Sequence, residues 1–532
     1  MAAGMSLIIK ELPFEVREYV IAHLQEQLYV LAFEQLQSVL LAGSDLPSGT
    51  PRRVFVPPAK VITLACTLVV YPPLTSRLPS SDKPDAANLA LHYVRQLATT
   101  GHTIHLPLVE AFSFAAQDAG RLSRRPRRTT EQGNGETGVS EGSRLTTRIA
   151  NQDSLFARAD DFWAVVGWAF NCSVKHPRRW ERWQVWLDMM LNVLEKDLQD
   201  RSSSPLSDTH GTPADPDEAI KNALLTQYLT LRSSGRAEKR RVMRAILADG
   251  SHQSMAEFKP LWKNETKPPK EVDPEATMVK KLDIENEQYG DYADDDEEDE
   301  GDADETDARA SEKLVGSGDE MADDDQEHSS DVNSDFGGLS SIVLRQRILG
   351  LLATYCEQNP TQFVDLEDLF DIYTEFMRPV PLKIFSQFIM PTTPYMNDAA
   401  QAALAQMLLR PLLSVEAPAF RKWSLTQADL ERHFLPFPSN RDNAIDNARV
   451  GLLVEALMRL LWKNGGLVLK SSLTKALQAG WEARHAKACG SLKKKTPAAM
   501  ERDEQARKML YESYVRMEVL LQVLEAGETV YN

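Results

Sequence analysis

Few side chains in this sequence stand at spacings that do chemistry. His485 and Cys489 are four residues apart, a separation that puts both on one helix face and lets an imidazole activate a thiol. A nucleophile also needs a pocket and an oxyanion donor, which the pair does not announce. His102 and His105 are three apart, close enough on a helical turn to share a metal ion. No acid or cysteine adjoins them in the sequence, and Gly101 favours a loop there. The phosphate loop, the dinucleotide fingerprint, the zincin helix and the nucleophile elbow each require a fixed spacing, and none occurs. The expectation is a non-enzymatic chain with no catalytic residue, no cofactor and no metal, in which the His–Cys pair is a coincidence of helical spacing.

Charge is the stronger signal. The 532 residues carry 77 Asp and Glu against 60 Lys and Arg, a formal −17. From Asp283 to Asp335 there are 24 acids and two bases, Arg309 and Lys313, so this segment alone holds −22 and the rest sums to +5. That distribution excludes a uniformly acidic protein and a strongly basic nucleic-acid binder. Tyr289 and Tyr292 come just before the run Asp294–Glu300. An aromatic followed by acids resembles the histone-binding segments of some histone chaperones, in which a ring fills an apolar pocket and acids replace DNA phosphates. The resemblance covers the 12 residues from Tyr289 to Glu300 and implies histones as partners. The same segment also reads as a solvated spacer, or as a shield for the chain's own basic patches. Ser317 has Glu320 at +3, a spacing that an acid-directed kinase accepts.

Three basic clusters stand apart from the acids: Arg124, Arg125, Arg127 and Arg128 around Pro126; Lys239, Arg240 and Arg241; and Lys493–Lys495. Nuclear import signals and phosphate-binding patches both look like this. The first falls in a loop accessible to an import receptor, and the second shares a helix with Arg236 and Arg244. Five of the nine tryptophans lie between Trp163 and Trp186. Trp180, Trp183, Leu187, Met190, Leu191, Leu194 and Leu198 fall on one helical stripe, which marks core and argues against stacking of bases beside Arg178, Arg179 and Arg182. Phe258 and Trp262 differ, because they stand in a Lys/Pro-rich stretch without periodic neighbours. They read as a docking peptide, for the chain's own helices or for a partner.

The elements that would carry these residues are helices. Val16, Val20, Leu24, Leu28 and Leu31 recur at helical spacing after Pro13. Further helices are expected near 26–42, 58–71, 86–99, 216–233, 236–248, 382–390, 396–412 and 472–488. His176-Pro177 splits the Trp-rich block into a helical hairpin. Asp442 or Asn443 can cap a long helix through Trp462, which Asn464-Gly465-Gly466 ends. Leu510, Tyr514, Met517, Leu521 and Leu524 mark a last helix. No strand pattern appears beyond short runs such as Leu467–Leu469, and no repeat period is clean.

The fold class expected is all-α: an irregular α-solenoid or multi-helical bundle of one or two modules with long disordered acidic and basic insertions. The blocks are 5–115, helical; 116–152, a disordered basic and Gly/Ser loop; 153–248, Trp-rich and packing with the first; 249–338, a disordered acidic linker; and 339–530, helical. Residues 200–215 also read as disordered. The four cysteines are scattered, so buried reduced thiols are expected rather than a disulfide framework. No apolar run approaches the length needed to span a bilayer, no signal peptide is legible, and the sequons at Asn171 and Asn264 read as accidental. Together these features point to a helical scaffold or adaptor subunit of a nuclear complex, in chromatin or chromosome maintenance. Its partners are other protein subunits, with histones as one candidate and nucleic acid reached indirectly, and no membrane. The alternatives are a histone chaperone acting through 282–335 and a nucleic-acid binder using the basic clusters.

Overall fold

Proline and short polar residues set the helix starts. Pro13, Pro58, Pro84, Pro107 and Pro381 directly precede helices, and Pro177, Pro216 and Pro497 open them; a fixed φ and a missing N–H cost nothing in the first turn. Ser154, Asp161, Ser251, Asp365, Asn397, Thr426 and Asn443 cap others through their side chains. The computed structural model describes residues 7–42, 52–78, 84–114, 145–203, 216–230, 235–268, 336–420, 424–490 and 496–531.

Among these residues the chain begins with β1 (Leu7–Glu11), α1 (Phe14–Gln25), α2 (Tyr29–Ala42), β2 (Arg52–Val56), α3 (Ala59–Leu68), α4 (Asp85–Thr100) and α5 (Leu108–Ala111). It continues with α6 (Leu155–Arg158), α7 (Phe162–Lys175), α8 (Pro177–Ser203), α9 (Pro216–Lys221), α10 (Leu224–Thr230), α11 (Arg236–Ile246) and α12 (His252–Glu257). The C-terminal half holds α13 (Gly338–Gln358), α14 (Leu366–Met377), α15 (Leu382–Ile389), α16 (Asp398–Leu409), α17 (Gln427–His433), α18 (Ala444–Lys463), α19 (Ser471–Cys489) and α20 (Pro497–Tyr531). The all-α class holds, with one exception the sequence did not announce: β1 and β2 form a two-stranded parallel sheet, Leu7 opposite Arg52 through Glu11 opposite Val56. Leu467–Leu469, the run that did suggest a strand, is extended but belongs to no strand; Gln427 meets both the N–H and the C=O of Val468 at 2.8 Å, as a neighbouring strand would.

The α7–α8 hairpin is the centre of the molecule. Phe170 faces Trp180 at 6.0 Å and Phe162 faces Trp186 at 6.5 Å, a pairing only antiparallel helices give. The whole expected stripe from Trp180 to Leu198 is buried. Around it pack α4, α9, α10 and α13 against α8, and α11, α12 and α13 against α7. In a solenoid each unit meets only its neighbours; here one hairpin touches elements from both halves, so the architecture is a multi-helical bundle. One hydrophobic core runs from Leu12 to Leu521. The two halves are joined by Arg347 of α13, which reaches Glu195 at 2.6 and 2.7 Å and Asp188 at 2.9 Å on α8, while Arg95 of α4 holds the other Asp188 oxygen at 2.8 Å.

Several boundaries move. Leu145 and Ala150 are buried and Arg148–Ala150 forms a turn, so the loop expected over 116–152 is folded from 145 onward. Helix α8 runs on to Ser203, with buried Arg201 on Asp197 at 2.9 Å, so the start of the linker expected at 200 is helical. Residues 249–268 and 336–338 belong to the body. The stripe expected from Val16 to Leu31 breaks at Gln27, whose φ is 59°, leaving Leu28 and Leu31 about half exposed. The helix expected over 216–233 is two short ones, with Asp197 accepting the Leu224 N–H at 2.9 Å where the second begins. Cys66, Cys172 and Cys356 are buried and unbridged as expected, whereas Cys489 is exposed. No described helix is long and apolar enough to cross a membrane.

Candidate binding cavity

The C-terminal half contains an apolar cavity of about 320 Å³. Leu349 of α13, Phe388 of α15, Leu404 of α16 and Leu460 of α18 supply its apolar wall, with Met390 and Met396 at the ends of the connection between α15 and α16. That connection is held at both ends. Gln346 donates to Gln387 O at 2.7 Å, Gln401 donates to Met396 O at 2.6 Å, and Asn397 donates to Glu357 at 2.7 Å while capping α16. Gly350 lets Tyr395 rest directly on α13, since a Cβ there would lie 2.6 Å from Tyr395. The cavity is thus walled by helices and a fixed loop, as ligand sites usually are.

Two features give it chemistry. Tyr373 of α14 lines it, is 2% exposed, and its hydroxyl has no hydrogen-bond partner among the described residues. Burial pushes that hydroxyl well above the ordinary tyrosine value, so it stays a neutral donor. Arg459 and Lys463 also line it, one turn apart on α18. Arg459 lies 2.7 Å from Glu455, and Lys463 lies 2.8 Å from Asp398. Glu455 is already gripped through both oxygens by Arg516, at 2.7 and 2.8 Å, so Arg459 is a second guanidinium on one carboxylate. No group of three or more metal-ligating side chains comes together among the described residues.

The residues singled out by sequence fare differently. Tyr289, Tyr292, Arg124, Arg125, Arg127, Arg128 and Lys493–Lys495 lie outside the described residues. Phe258 and Trp262 are corrected as partner-binding candidates, for both are core. Phe258 sits against Gly167, where a Cβ would lie 2.3 Å from its ring, and Trp262 packs on Trp183 at 6.4 Å and Tyr71 at 5.9 Å. Glu265 follows, fully buried, and meets Arg179 at 3.1 Å. Asn171 completes this strap: its side chain holds Gly250 N at 3.0 Å, Ser254 O at 3.1 Å and the Ser254 hydroxyl. It is wholly buried, so its sequon has no surface to present.

The basic helix is largely spent on structure. Arg240 meets Glu375, Arg241 meets Asp161 at 2.7 Å and Arg244 meets Glu257 at 2.7 Å; Lys239 has no ion-pair partner among the described residues. A polar groove beside it, lined by Arg236, Arg378 and Arg410, also holds Asp371 and Glu375, so its charge is mixed. Arg179, for which the Trp stripe argued against a base-stacking use, is buried under Trp183 and Trp262. His485 and Cys489 do share a face, 3.8 Å apart at the surface, and His485 packs on Trp481. His102 lies 3.5 Å from Asp200, an acid 98 residues away in sequence. The cavity itself gave no sequence signal: its lining comes from five helices and a loop, each reading as ordinary amphipathic core. No family model, no curated protein and no solved structure matches this chain.

Proposed function

We propose that the chain is a non-enzymatic helical scaffold or adaptor subunit of a nuclear complex, serving chromatin or chromosome maintenance such as DNA repair or replication. The observation that carries this reading is where the acidic insertion begins and ends. The strap through Phe258, Trp262 and Glu265 is seated on α7–α8, and so is the re-entry at Phe336–Gly337, with Gly337 against Ser173 and Phe336 stacked 5.0 Å from Arg345. The halves on either side bury one core. The segment between them is therefore not needed as a tether, which favours recruitment as the use of its −22 charge. A basic protein surface is the partner such a segment suits, histones among them, with Tyr289 and Tyr292 as anchors. The basic loop Arg124–Arg128 supports a nuclear address. Direct nucleic-acid binding draws less support, because three arginines of the helical cluster already meet carboxylates.

The test is affinity purification of the tagged full-length protein at moderate salt, beside a variant lacking residues 283–335. A stoichiometric set of nuclear proteins is expected, with its basic members lost from the variant. Histones dominating the first sample and vanishing from the second would make the chaperone reading primary, and Tyr289→Ala with Tyr292→Ala should then weaken that binding. A clean monomer in both samples would sink the scaffold reading.

A further inference from the structure

We propose that the cavity between α13, α14, α16 and α18 is a receptor site for a small amphipathic carboxylic acid, its apolar body inside and its carboxylate toward Arg459 and Lys463. At about 320 Å³ the space stands at the lower end of small-molecule sites, about 300–1,000 Å³, which sets the size of the ligand. The wall of leucines, Phe388 and two methionines selects an apolar body, and methionine adapts to its shape. Tyr373 lines the space and no hydrogen bond of its hydroxyl is found among the described residues, so the phenol has a donor to offer an oxygen of the ligand. Charge selects the sign of the head group. Arg459 and Lys463 are i,i+4 on α18, hence on one face, and each already takes a carboxylate. Arg459 meets Glu455 through Nη2, which leaves its other N–H groups to donate, and a guanidinium fork fits a carboxylate best. The site is independent of the acidic segment, so its failure would leave the scaffold reading standing.

The experiment titrates the full-length chain with decanoate, decanol and decyltrimethylammonium, each below its aggregation threshold, by calorimetry and native mass spectrometry. Decanoate should bind one to one, at least tenfold tighter than decanol, with the ammonium weakest. Arg459→Gln with Lys463→Gln should bring decanoate to the level of decanol and leave decanol unchanged. Ala405→Phe should fill the cavity and abolish binding of both, and Tyr373→Phe should weaken decanoate several-fold; melting curves establish that each variant is folded. Equal affinity for the three amphiphiles, no binding of decanoate, or decanoate binding untouched by the charge and cavity variants would overturn the proposal.

Discussion

Arg345 is fully buried and, among the described residues, has no carboxylate within ion-pair distance. Its guanidinium instead donates to Ile246 O at 2.6 Å, Ala248 O at 2.8 Å and the Ser341 hydroxyl at 3.1 Å, and lies 4.1 Å from the centre of the Phe170 ring. The carbonyl-rich end of α11 and an aromatic face thus stand in for a counter-ion. Burial pulls its pKa down to about 9, so the side chain remains charged at neutral pH. Arg345→Met should leave two buried carbonyls unpaired and cost about 2–4 kcal/mol in urea unfolding; an unchanged midpoint would contradict this role. Nothing in the sequence marks Arg345, Arg179 or Arg484 as internal, because burial of a charge depends on which backbone carbonyls the fold brings to it.

Asp200 offers a test by pH. Burial alone would raise its carboxyl, but the Thr103 N–H at 2.9 Å, Lys196 at 3.2 Å and the Thr103 hydroxyl at 3.1 Å outweigh that and hold it below the usual value. An acid whose folded-state pKa is depressed contributes stability above its unfolded value, near 4, and loses it as pH falls through the folded one. The difference in urea midpoint between the wild type and Asp200→Asn should therefore be largest above about pH 4 and close on further acidification. A gap that stays constant on acidification would show the bonds to Thr103 and Lys196 to be without effect on the carboxyl.

At the scale of elements, the strap from α12 to Glu265 is the least expected piece. Trp262 fills the space between Trp183 and Tyr71, and its indole N–H donates to Asp153 O at 3.1 Å. Trp262→Ala should cost about 3–5 kcal/mol, the range for a buried aromatic, and denaturant titration checks it; a loss below 1 kcal/mol would return Trp262 to the surface. The hairpin α7–α8 was legible because two long stripes flank a His-Pro break, and α18 because Asn443 caps it and Gly465, at φ 66°, ends it. The strap was legible only at Phe258 and Trp262, which read as a docking peptide, since its Lys and Pro residues look like a linker. The sheet was invisible for another reason: β1 and β2 are five residues each, and a parallel pair so distant in sequence leaves no local turn signal.

For the whole molecule, the described residues on either side of 269–335 share one core, so that core does not depend on a tether between them. Replacing residues 269–335 by a flexible linker of about 20 residues should leave the melting temperature unchanged or slightly raised, because each halving of a loop returns only about 0.6 kcal/mol of closure entropy. A marked drop would show that the segment contributes contacts to the body. The helical class and the single long acidic run could be read from composition. That the two blocks form one bundle could not, for it rests on Arg347 and Arg345, whose partners on α8 and at the end of α11 lie far away in sequence.

The same long-range closure sets a clock on synthesis. The strap is complete at Glu265, but the carbonyls at the end of α11 wait for Arg345, 80 residues later, which at about 5–20 residues per second is about 4–16 s of translation. Through that interval the first half stands on the ribosome with the faces that α13 will cover still open to water. The segment translated in that interval is the acidic one, and a net charge of −22 over Asp283–Asp335 opposes association between like chains.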